Sequence, residues 1–216
     1  MRKIPVVFVM DFSTEQVTPV VKPGCEWVAE GEGIATLKVD GSATLYRDGK
    51  LWKRFDRKLN KQAQWLFDND RLPAVEEHHF RAKPDGFEPC EDKPDPVTFH
   101  WPGWVPVSTD NPADKYHLEA LSNLKAPLCE GQTYELVGPT LASNPYELTT
   151  HQLVAHGDPL EIADRSFEGL RQFLTATYIE GVVFHHPDGR MAKLRRKDFK
   201  LFWVKEDTRV SKRKKR

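Results

Sequence analysis

Basic side chains lie close to one carboxylate in the C-terminal part of the chain. The carboxylate is Glu180, and the cations Lys193, Arg195 and Lys197 follow it at alternate positions. Several cations around one acid suit the binding of a polyphosphate, and they also suit a salt-bridge ladder on a protein surface. Taken alone, the pattern favours the ladder, so the elements that hold these residues have to be considered.

Residues 180–199 are predicted to form a β-hairpin that turns near Asp188-Gly189. Because strand side chains alternate between two faces, a two-residue loop or a symmetrical four-residue loop gives one register. The predicted pairs are Phe184 with Lys193, Val182 with Arg195 and Glu180 with Lys197. In this register the charged residues share one face, above an apolar patch made by Val182 and Phe184.

A second hairpin is predicted over residues 36–58. Asp48-Gly49 tolerates the positive φ angles of a tight type I′ turn and lies between two alternating runs. The predicted pairs are Tyr46 with Leu51, Ser42 with Phe55 and Asp40 with Arg57. The core face would carry Leu37, Val39, Ala43 and Leu45, and the polar face would carry Lys38, Asp40, Ser42, Thr44, Lys53 and Arg57. Lys38 is therefore expected beside an acid and an arginine.

The composition is that of an ordinary globular protein with one domain. The chain has 216 residues, of which 39% are hydrophobic and 30% charged, which is enough for a full core. It contains neither a long apolar span nor a signal-peptide cleavage pattern, so we expect a cytoplasmic protein without membrane contact. We also expect a monomer. Cys25, Cys90 and Cys129 are far apart, which indicates neither a disulfide framework nor a C-x-x-C metal site.

The charge distribution argues against a non-specific polycation, because 32 basic and 32 acidic residues cancel. Basic residues are nevertheless concentrated in two segments. Within these segments, the residues considered for nucleic-acid contact are Lys53, Arg54, Lys58 and Lys197. Residues 206–216 form a basic tail, for which a flexible solvated segment and an attraction to nucleic acid both stay open.

The rest of the chain alternates short strands with amphipathic helices. Helices are predicted near residues 59–67, 112–124 and 164–174, and strands near residues 6–10, 99–107 and 131–139. In the last of these strands, Tyr134 and Leu136 lie on one face while Glu135 lies on the other and faces outward. Hairpins and separate helices together indicate an α+β fold, with antiparallel β-sheets flanked by helices.

The charged motifs occur in an order that resembles a known family. They are K-V-D-G at residues 38–41, Arg57, Y-E-L-V-G at 134–138, E-G-V-V-F at 180–184 and K-L-R at 193–195. This series resembles the covalent nucleotidyltransferase superfamily of ATP-dependent ligases and messenger-RNA capping enzymes. Within it, the K-x-D-G-S start and the A-K-L-R-R-K-D-F ending look most like a compact 5′-to-3′ RNA ligase that lacks an appended barrel domain.

The resemblance implies a single ATP-grasp-like nucleotidyltransferase (adenylation) domain over residues 1–205. It also implies ATP with Mg²⁺ or Mn²⁺ as cofactors, and RNA with 5′-phosphate and 3′-hydroxyl ends as the partner. Lys38 would carry AMP covalently and pass it to the RNA 5′-phosphate before a 3′-hydroxyl seals the strand. Because an ordinary lysine has a pKa of about 10.4, burial and nearby cations, here Lys193 and Arg195, would have to favour the neutral amine.

The same resemblance assigns the other site residues. The nucleotide-binding set is Leu37, Lys38, Asp40, Gly41, Arg57, Glu135, Glu180, Lys193 and Arg195. Glu135 would bind the ribose, and Glu180 would lie at the metal ion. Lys193 and Arg195 would be catalytic with Lys38, because positioned cations stabilise the charge of a leaving pyrophosphate.

Several alternatives stay open in the sequence. Arg54 competes with Arg57, and Lys197 competes with Arg195 in the last motif. The candidates for the ring that stacks on adenine are Phe184, Tyr146 and Trp104. A capping-type guanylyltransferase, a DNA nick ligase and a non-catalytic nucleic-acid-binding domain are the other functions considered, although Ala43 stands where DNA ligases commonly have arginine.

Overall fold

The computed structural model describes residues 3–72 and 74–203. The strands are β1 (Phe8–Asp11), β2 (Gln16–Val21), β3 (Ile34–Lys38), β4 (Ser42–Arg47), β5 (Lys50–Arg57), β6 (Glu88–Pro89), β7 (Trp101–Pro106), β8 (Thr133–Val137), β9 (Gln152–Ala155), β10 (Pro159–Leu160), β11 (Gly181–His185) and β12 (Met191–Arg195). The α-helices are α1 (Glu26–Ala29), α2 (Lys61–Asp68), α3 (Lys115–Ser122) and α4 (Phe167–Ala176). Short 3₁₀ helices lie at Glu77–His79, Pro112–Asp114 and Arg196–Phe199. The strand ladders are antiparallel, which confirms the predicted α+β class.

Residue contacts divide the chain into two compact units. Of the described residues, the first unit comprises residues 3, 42–72 and 74–134, and the second comprises residues 4–41 and 135–203. The single domain expected over residues 1–205 stays a prediction, and the basic tail at 206–216 lies outside the described residues. No helix in the described ranges is both long and apolar enough to span a bilayer. The cytoplasmic location and the monomeric state also stay predictions.

The first unit is built on the strand order β6-β7-β5-β4, with the start of β8 beside β4. Asp48 and Gly49 have positive φ angles of 53° and 68°, and Tyr46 lies opposite Leu51, as predicted for the turn. Helix α2 begins after Asn60, whose side chain accepts a hydrogen bond from the next turn. The predicted hairpin turn and the predicted helix are therefore confirmed.

The predicted continuous strand through Lys38 and Thr44 is wrong. The chain leaves the sheet at residues 39–41, so β3 and β4 belong to different sheets. The β4–β5 ladder runs from Thr44–Lys53 to Arg47–Lys50, and Arg57 lies opposite Trp101 of β7. Thr44 is fully buried and not on an exposed polar face. The alternating pattern continues across the break, which explains why the sequence alone did not reveal it.

The second unit contains a four-stranded sheet in the order β10-β3-β11-β12 and the β1–β2 hairpin. One face of the sheet packs on α4 and on the β1–β2 hairpin in one hydrophobic core. The fully buried members of this core include Leu170 and Leu174 of α4, and Val182, Phe184 and Leu194 of the sheet. The predicted apolar stripe of the helix is therefore a core surface. Residues 5–7 pair with β12 through hydrogen bonds to Lys193.

The predicted register of the β11–β12 hairpin is wrong by one residue. Phe184 lies opposite Ala192 and Val182 opposite Leu194, while Gly181 lies opposite Arg195. The reason is a loop of odd length over residues 186–190, closed by a hydrogen bond from the His186 amide to the Arg190 carbonyl. Since a shift of one residue exchanges the faces of a strand, Val182 and Phe184 lie in the core and do not form a patch beneath the cations.

Gly181 joins three strands at the point where the charged residues meet. It lies opposite Lys38 of β3 on one side and opposite Arg195 of β12 on the other. A Cβ atom at this position would overlap the carbonyl oxygen of Leu194 and press on the Cα of Arg195. The close spacing of the three strands at this level therefore requires glycine.

We expect Gly181→Ala to destabilise the protein by about 3 kcal/mol, because the overlap is with backbone atoms that cannot move aside. Gly189→Ala in the loop of the same hairpin is the matched control. Its added Cβ would meet open space, although the φ of +89° makes any side chain unfavourable, so the expected loss is about 1 kcal/mol. Urea denaturation followed by circular dichroism measures both, and equal losses would contradict the close strand spacing.

Candidate active site

An ion pair between Lys38 and Glu180 lies at the end of the four-stranded sheet in the second unit. Lys38 is the last residue of β3, and Glu180 immediately precedes β11. Because β3 and β11 are antiparallel with Lys38 opposite Gly181, the two side chains meet at this end of the sheet. The distance from Lys38 Nζ to Glu180 Oε2 is 2.5 Å. The sequence resemblance assigned both residues to one site, and the structure places them in contact.

Glu180 is a buried acid with an unusual pKa. Its exposed fraction is 8%, and burial raises its pKa from 4.5 to about 7. The positive charges of Lys38 and Arg195 oppose this rise, whereas the negative charge of Asp40 adds to it. The carboxyl group therefore changes its protonation state close to neutral pH, while it is in contact with the amine of Lys38.

Lys193 and Arg195 lie on β12 on the same side of the sheet. Burial and, to a smaller extent, the charges of Arg195 and Lys38 together lower the pKa of Lys193 to about 8. The Arg195 guanidinium donates through Nε and Nη2 to Asp198, at 3.1 and 2.6 Å. Asp198 therefore fixes the orientation of Arg195 and leaves its Nη1 group for another acceptor.

The loop after Lys38 is held by three contacts. The Asp40 amide donates to the hydroxyl of Tyr146 at 2.7 Å, and the Asp40 carboxylate accepts from the indole of Trp203 at 2.9 Å. Gly41 lies so close to the carbonyl of Leu136 that a Cβ atom would overlap it. The close contact with β8 therefore explains why the K-V-D-G motif has glycine at this position, and the sequence alone did not reveal this contact.

Glu135 is buried, contrary to the prediction that it faces outward. Its exposed fraction is 8%, and its carboxylate pairs with the imidazole of His156 at 2.9 Å. His185 lies on the same side of β11 as the cation sites and bonds to the Thr36 hydroxyl. Burial and the charge of His156 lower the pKa of His185. The site therefore contains an acid and two imidazoles besides the predicted cations.

The residues present fit a magnesium ion only together with a phosphorylated ligand. Within the described ranges, no cluster of three or more His, Cys, Asp and Glu side chains could hold a metal alone. Glu180 and Asp40 line one cavity, and magnesium in proteins is often bound by one or two carboxylates plus phosphate oxygens and water. Glu180 remains the residue expected to hold the ion.

Arg57 has a different environment, inside the first unit. It is only 3% exposed and lies over the rings of Phe80 and Trp101. Its guanidinium donates to Glu77 at 2.7 Å and to the carbonyl of Arg81 at 2.7 Å. Arg57 was predicted to share a face with Lys38 because one continuous strand was expected. The strand is broken after Lys38, so this placement no longer follows. Its role as a nucleotide contact stays a prediction.

Three of the four cations proposed for nucleic acid, Lys53, Arg54 and Lys58, lie on β5 or directly after it. Lys53 pairs with the fully buried carboxylate of Asp114, which ties β5 to the 3₁₀ turn before α3. Arg54 lies opposite Trp104 in the β5–β7 ladder, and Lys58 is exposed. Lys197 belongs to the second unit, in the 3₁₀ helix after β12. Nucleic-acid contact by these residues stays a prediction.

The three aromatic candidates for adenine stacking differ in exposure. Phe184 is fully buried in the core, which excludes it because both faces of its ring are covered. Trp104 is 6% exposed in β7 of the first unit. Tyr146 contacts the loop after Lys38, and burial raises the pKa of its hydroxyl to about 12, with added effects of Asp40, Glu180 and Glu135. It is therefore a neutral ring beside the site.

Sequence reasoning missed His156, Asp198 and Trp203. An Arg-x-x-Asp spacing is a local signal that could have revealed Asp198, since residues three apart in a helical turn are neighbours. His156 follows β9 in a polar connection, and Trp203 reaches Asp40 across 163 positions of sequence. Neither has a local pattern that predicts its contact.

The antiparallel α+β fold and the lysine at a strand end agree with a nucleotidyltransferase-like domain. A family model described as RNA ligase 1 matches residues 119–215. RNA ligase 1 of Pongo abelii is 32% identical over 83% of this chain and 71% of its own length. RNA ligase 1 of Rattus norvegicus is 30% identical over 96% of this chain and 83% of its own length. The chain therefore belongs to the RNA ligase 1 family.

The unusual pKa of Glu180 predicts a pH dependence of stability. The folded protein keeps this carboxyl protonated up to about pH 7, whereas the unfolded chain loses the proton near its ordinary pKa of 4.5. The folded state thus binds more protons in this window, so the free energy of unfolding falls as pH rises through it, by up to about 1.4 kcal/mol per pH unit.

In Glu180→Gln this contribution is absent. We therefore expect the stability of the variant relative to wild type to increase as the pH rises from about 5 to about 7. Urea denaturation at intervals across this range measures it. Parallel stability curves for the two proteins would show that Glu180 keeps an ordinary pKa in the folded state.

Proposed function

We propose that the protein is an ATP-dependent RNA ligase that joins a 5′-phosphate to a 3′-hydroxyl through a lysyl-AMP intermediate on Lys38. The observation that carries the proposal is the contact of Lys38 with the buried Glu180, beside Lys193 and Arg195. A lysine with only a structural role needs no more than an ion pair at the protein surface. A lysine that must act as a nucleophile needs a nearby group that accepts its proton, and cations that bind the leaving phosphates.

In the first step, the nitrogen of the Lys38 amine attacks the α-phosphorus of ATP. A phosphorus–nitrogen bond forms, the bond to the bridging oxygen breaks, and pyrophosphate leaves. The ammonium has to lose its proton first, and Glu180 is the carboxyl group in contact with it. With a pKa of about 7, Glu180 can take up a proton near neutral pH at small cost.

Lys193 and Arg195 act on the charge of the phosphates in this step. Both lie on β12, next to β11 and on the side of Lys38. Cations fixed at the departing pyrophosphate stabilise the charge that develops on it. Glu180 is also the residue that would hold a magnesium ion, which would supply further positive charge for the phosphates.

The two later steps restore the lysine. An oxygen of the RNA 5′-phosphate attacks the AMP phosphorus, the phosphorus–nitrogen bond breaks, and Lys38 takes up a proton as the AMP-capped RNA forms. The 3′-hydroxyl oxygen of the second end then attacks the RNA 5′-phosphorus and gives its proton to water, the bond from this phosphorus to the oxygen bridging to AMP breaks, and AMP leaves as the phosphodiester forms. Glu135, paired with His156, is the acid that we propose to hold the ribose of the nucleotide.

The adduct on Lys38 gives the first test. With Mg²⁺ and ATP labelled at the α-phosphate, we expect label that survives denaturation and is released by acid, and its loss in Lys38→Ala and Lys38→Arg. Lys22→Ala is the matched control, because Lys22 is an exposed lysine of the same unit and should leave labelling unchanged. Absence of any adduct from ATP would contradict the proposal, and an adduct from GTP alone would favour a capping enzyme.

The pKa of Lys193 gives a second test. Above about pH 8 the wild-type side chain loses its charge, whereas arginine in its place stays charged. The ratio of kcat/KM for adenylation in Lys193→Arg to that in wild type should therefore rise about tenfold between about pH 7 and about pH 9. The ratio cancels the ionisation of Lys38 itself. Lys22→Arg should show a constant ratio, and a constant ratio for Lys193→Arg would exclude a phosphate-binding role that depends on its charge.

A further inference from the structure

A cavity of about 690 Å³ lies beside the Lys38–Glu180 pair in the second unit. It is lined by Asp40 and Glu180, by residues of the β1–β2 hairpin and by residues between 195 and 203. The volume falls within the range of about 300 to 1,000 Å³ that is usual for ligand sites. Two aromatic residues of this lining, Phe12 and Phe202, are exposed and have no role in the adenylation step proposed above.

Two phenylalanine rings on this wall are open to solvent. Phe12 is 87% exposed and Phe202 is 59% exposed, and both line the cavity. Phe12 lies in the β1–β2 turn, where the Asp11 carboxylate accepts hydrogen bonds from the Ser13 amide, the Ser13 hydroxyl and the Thr14 hydroxyl, at 2.7 to 2.9 Å. Single exposed apolar residues need no explanation. Here two exposed rings line the same cavity, so that a base entering it meets aromatic faces on which it can stack.

The same wall carries cations. Lys197 and Lys200 line the cavity and are exposed, and neither forms an ion pair with another described residue. Three carboxylates of the lining are already engaged, since Asp40 accepts from Trp203, Glu180 from Lys38 and Asp198 from Arg195. Glu15 is the remaining acid of the lining. A ligand that combines a base with phosphate groups matches the exposed part of this wall.

We propose that this cavity binds the 5′-phosphate end of a single-stranded RNA, with the terminal base stacked on Phe12 and Phe202 and the phosphates beside Lys197 and Lys200. The inference rests on the proposed function. Of the two RNA ends, only the 5′ end must bring a phosphate oxygen to the AMP on Lys38, and the cavity reaches the partner of that lysine, Glu180. Exposed aromatic rings bind bases of any sequence, so the proposed subsite recognises an end and not a sequence.

The experiment separates the three chemical steps. For Phe12→Ala, adenylation of Lys38 by ATP should stay within about twofold of wild type, while AMP transfer to 5′-phosphorylated single-stranded RNA should fall about tenfold, the loss of one base stack. Phe12→Trp keeps a ring and should keep transfer. Val20→Ala, which truncates an apolar side chain that is 61% exposed on the same hairpin, is the matched control and should change nothing.

A substrate change tests the stack from the RNA side. RNA with an abasic 5′-terminal nucleotide should lose transfer in wild type by at least the factor that Phe12→Ala causes, because the contacts with both rings are removed, and Phe12→Ala should add no further loss with this RNA. Full transfer by Phe12→Ala, or a full rate with the abasic RNA, would overturn the proposal. So would a loss confined to adenylation, which would assign the cavity to the triphosphate, or a loss confined to sealing of AMP-capped RNA, which would assign it to the 3′-hydroxyl end.

Failure of the proposed function would be distinguishable from failure of the subsite. If wild type formed no adduct with ATP, the ligase mechanism would fail before any variant was compared. The subsite would then be judged by fluorescence anisotropy with the same labelled RNA. Weaker binding by Phe12→Ala, with unchanged binding by Val20→Ala, supports the cavity as an RNA site, and equal binding by both variants overturns it.

Discussion

The ion pair of Lys38 with the buried Glu180 is the interaction on which the rest of the site depends. Removing two charges from water is costly, and a buried pair often stabilises a fold no better than apolar residues of similar size would. The pair is therefore poorly explained by stability alone. Its chemical consequence is clearer, since a carboxyl group with a pKa of about 7 lies in contact with an amine at the end of the sheet.

The sheet of the second unit gives this pair its geometry. Gly181 lets β3, β11 and β12 approach closely, so that Lys38 and Arg195 are aligned on either side of it. The opposite face of the same strands is packed in the core. A displacement of the face that carries Lys38 and Arg195 would therefore disturb a close-packed interior. Asp198 adds a further restraint by holding the guanidinium of Arg195.

Sequence reasoning predicted the elements better than their pairing. The turn at Asp48-Gly49 and the apolar stripe of α4 follow from local rules of backbone conformation and periodicity, and both are present. The register of β11 with β12 depends on a loop with an odd number of residues, which the Asp188-Gly189 signal does not specify. The break after Lys38 is concealed because side chains continue to alternate across it. The contact of Glu135 with His156 is tertiary, so no local pattern could predict it.

The central claim is that the amine in contact with Glu180, and no other lysine of the cation cluster, carries the nucleotide. Peptide mapping by mass spectrometry tests it most directly, after incubation with ATP and Mg²⁺ and digestion at alkaline pH, where the phosphorus–nitrogen bond survives. We expect one AMP group, on the peptide that contains Lys38. AMP on Lys193 or Lys197, with Lys38 unmodified, would contradict it.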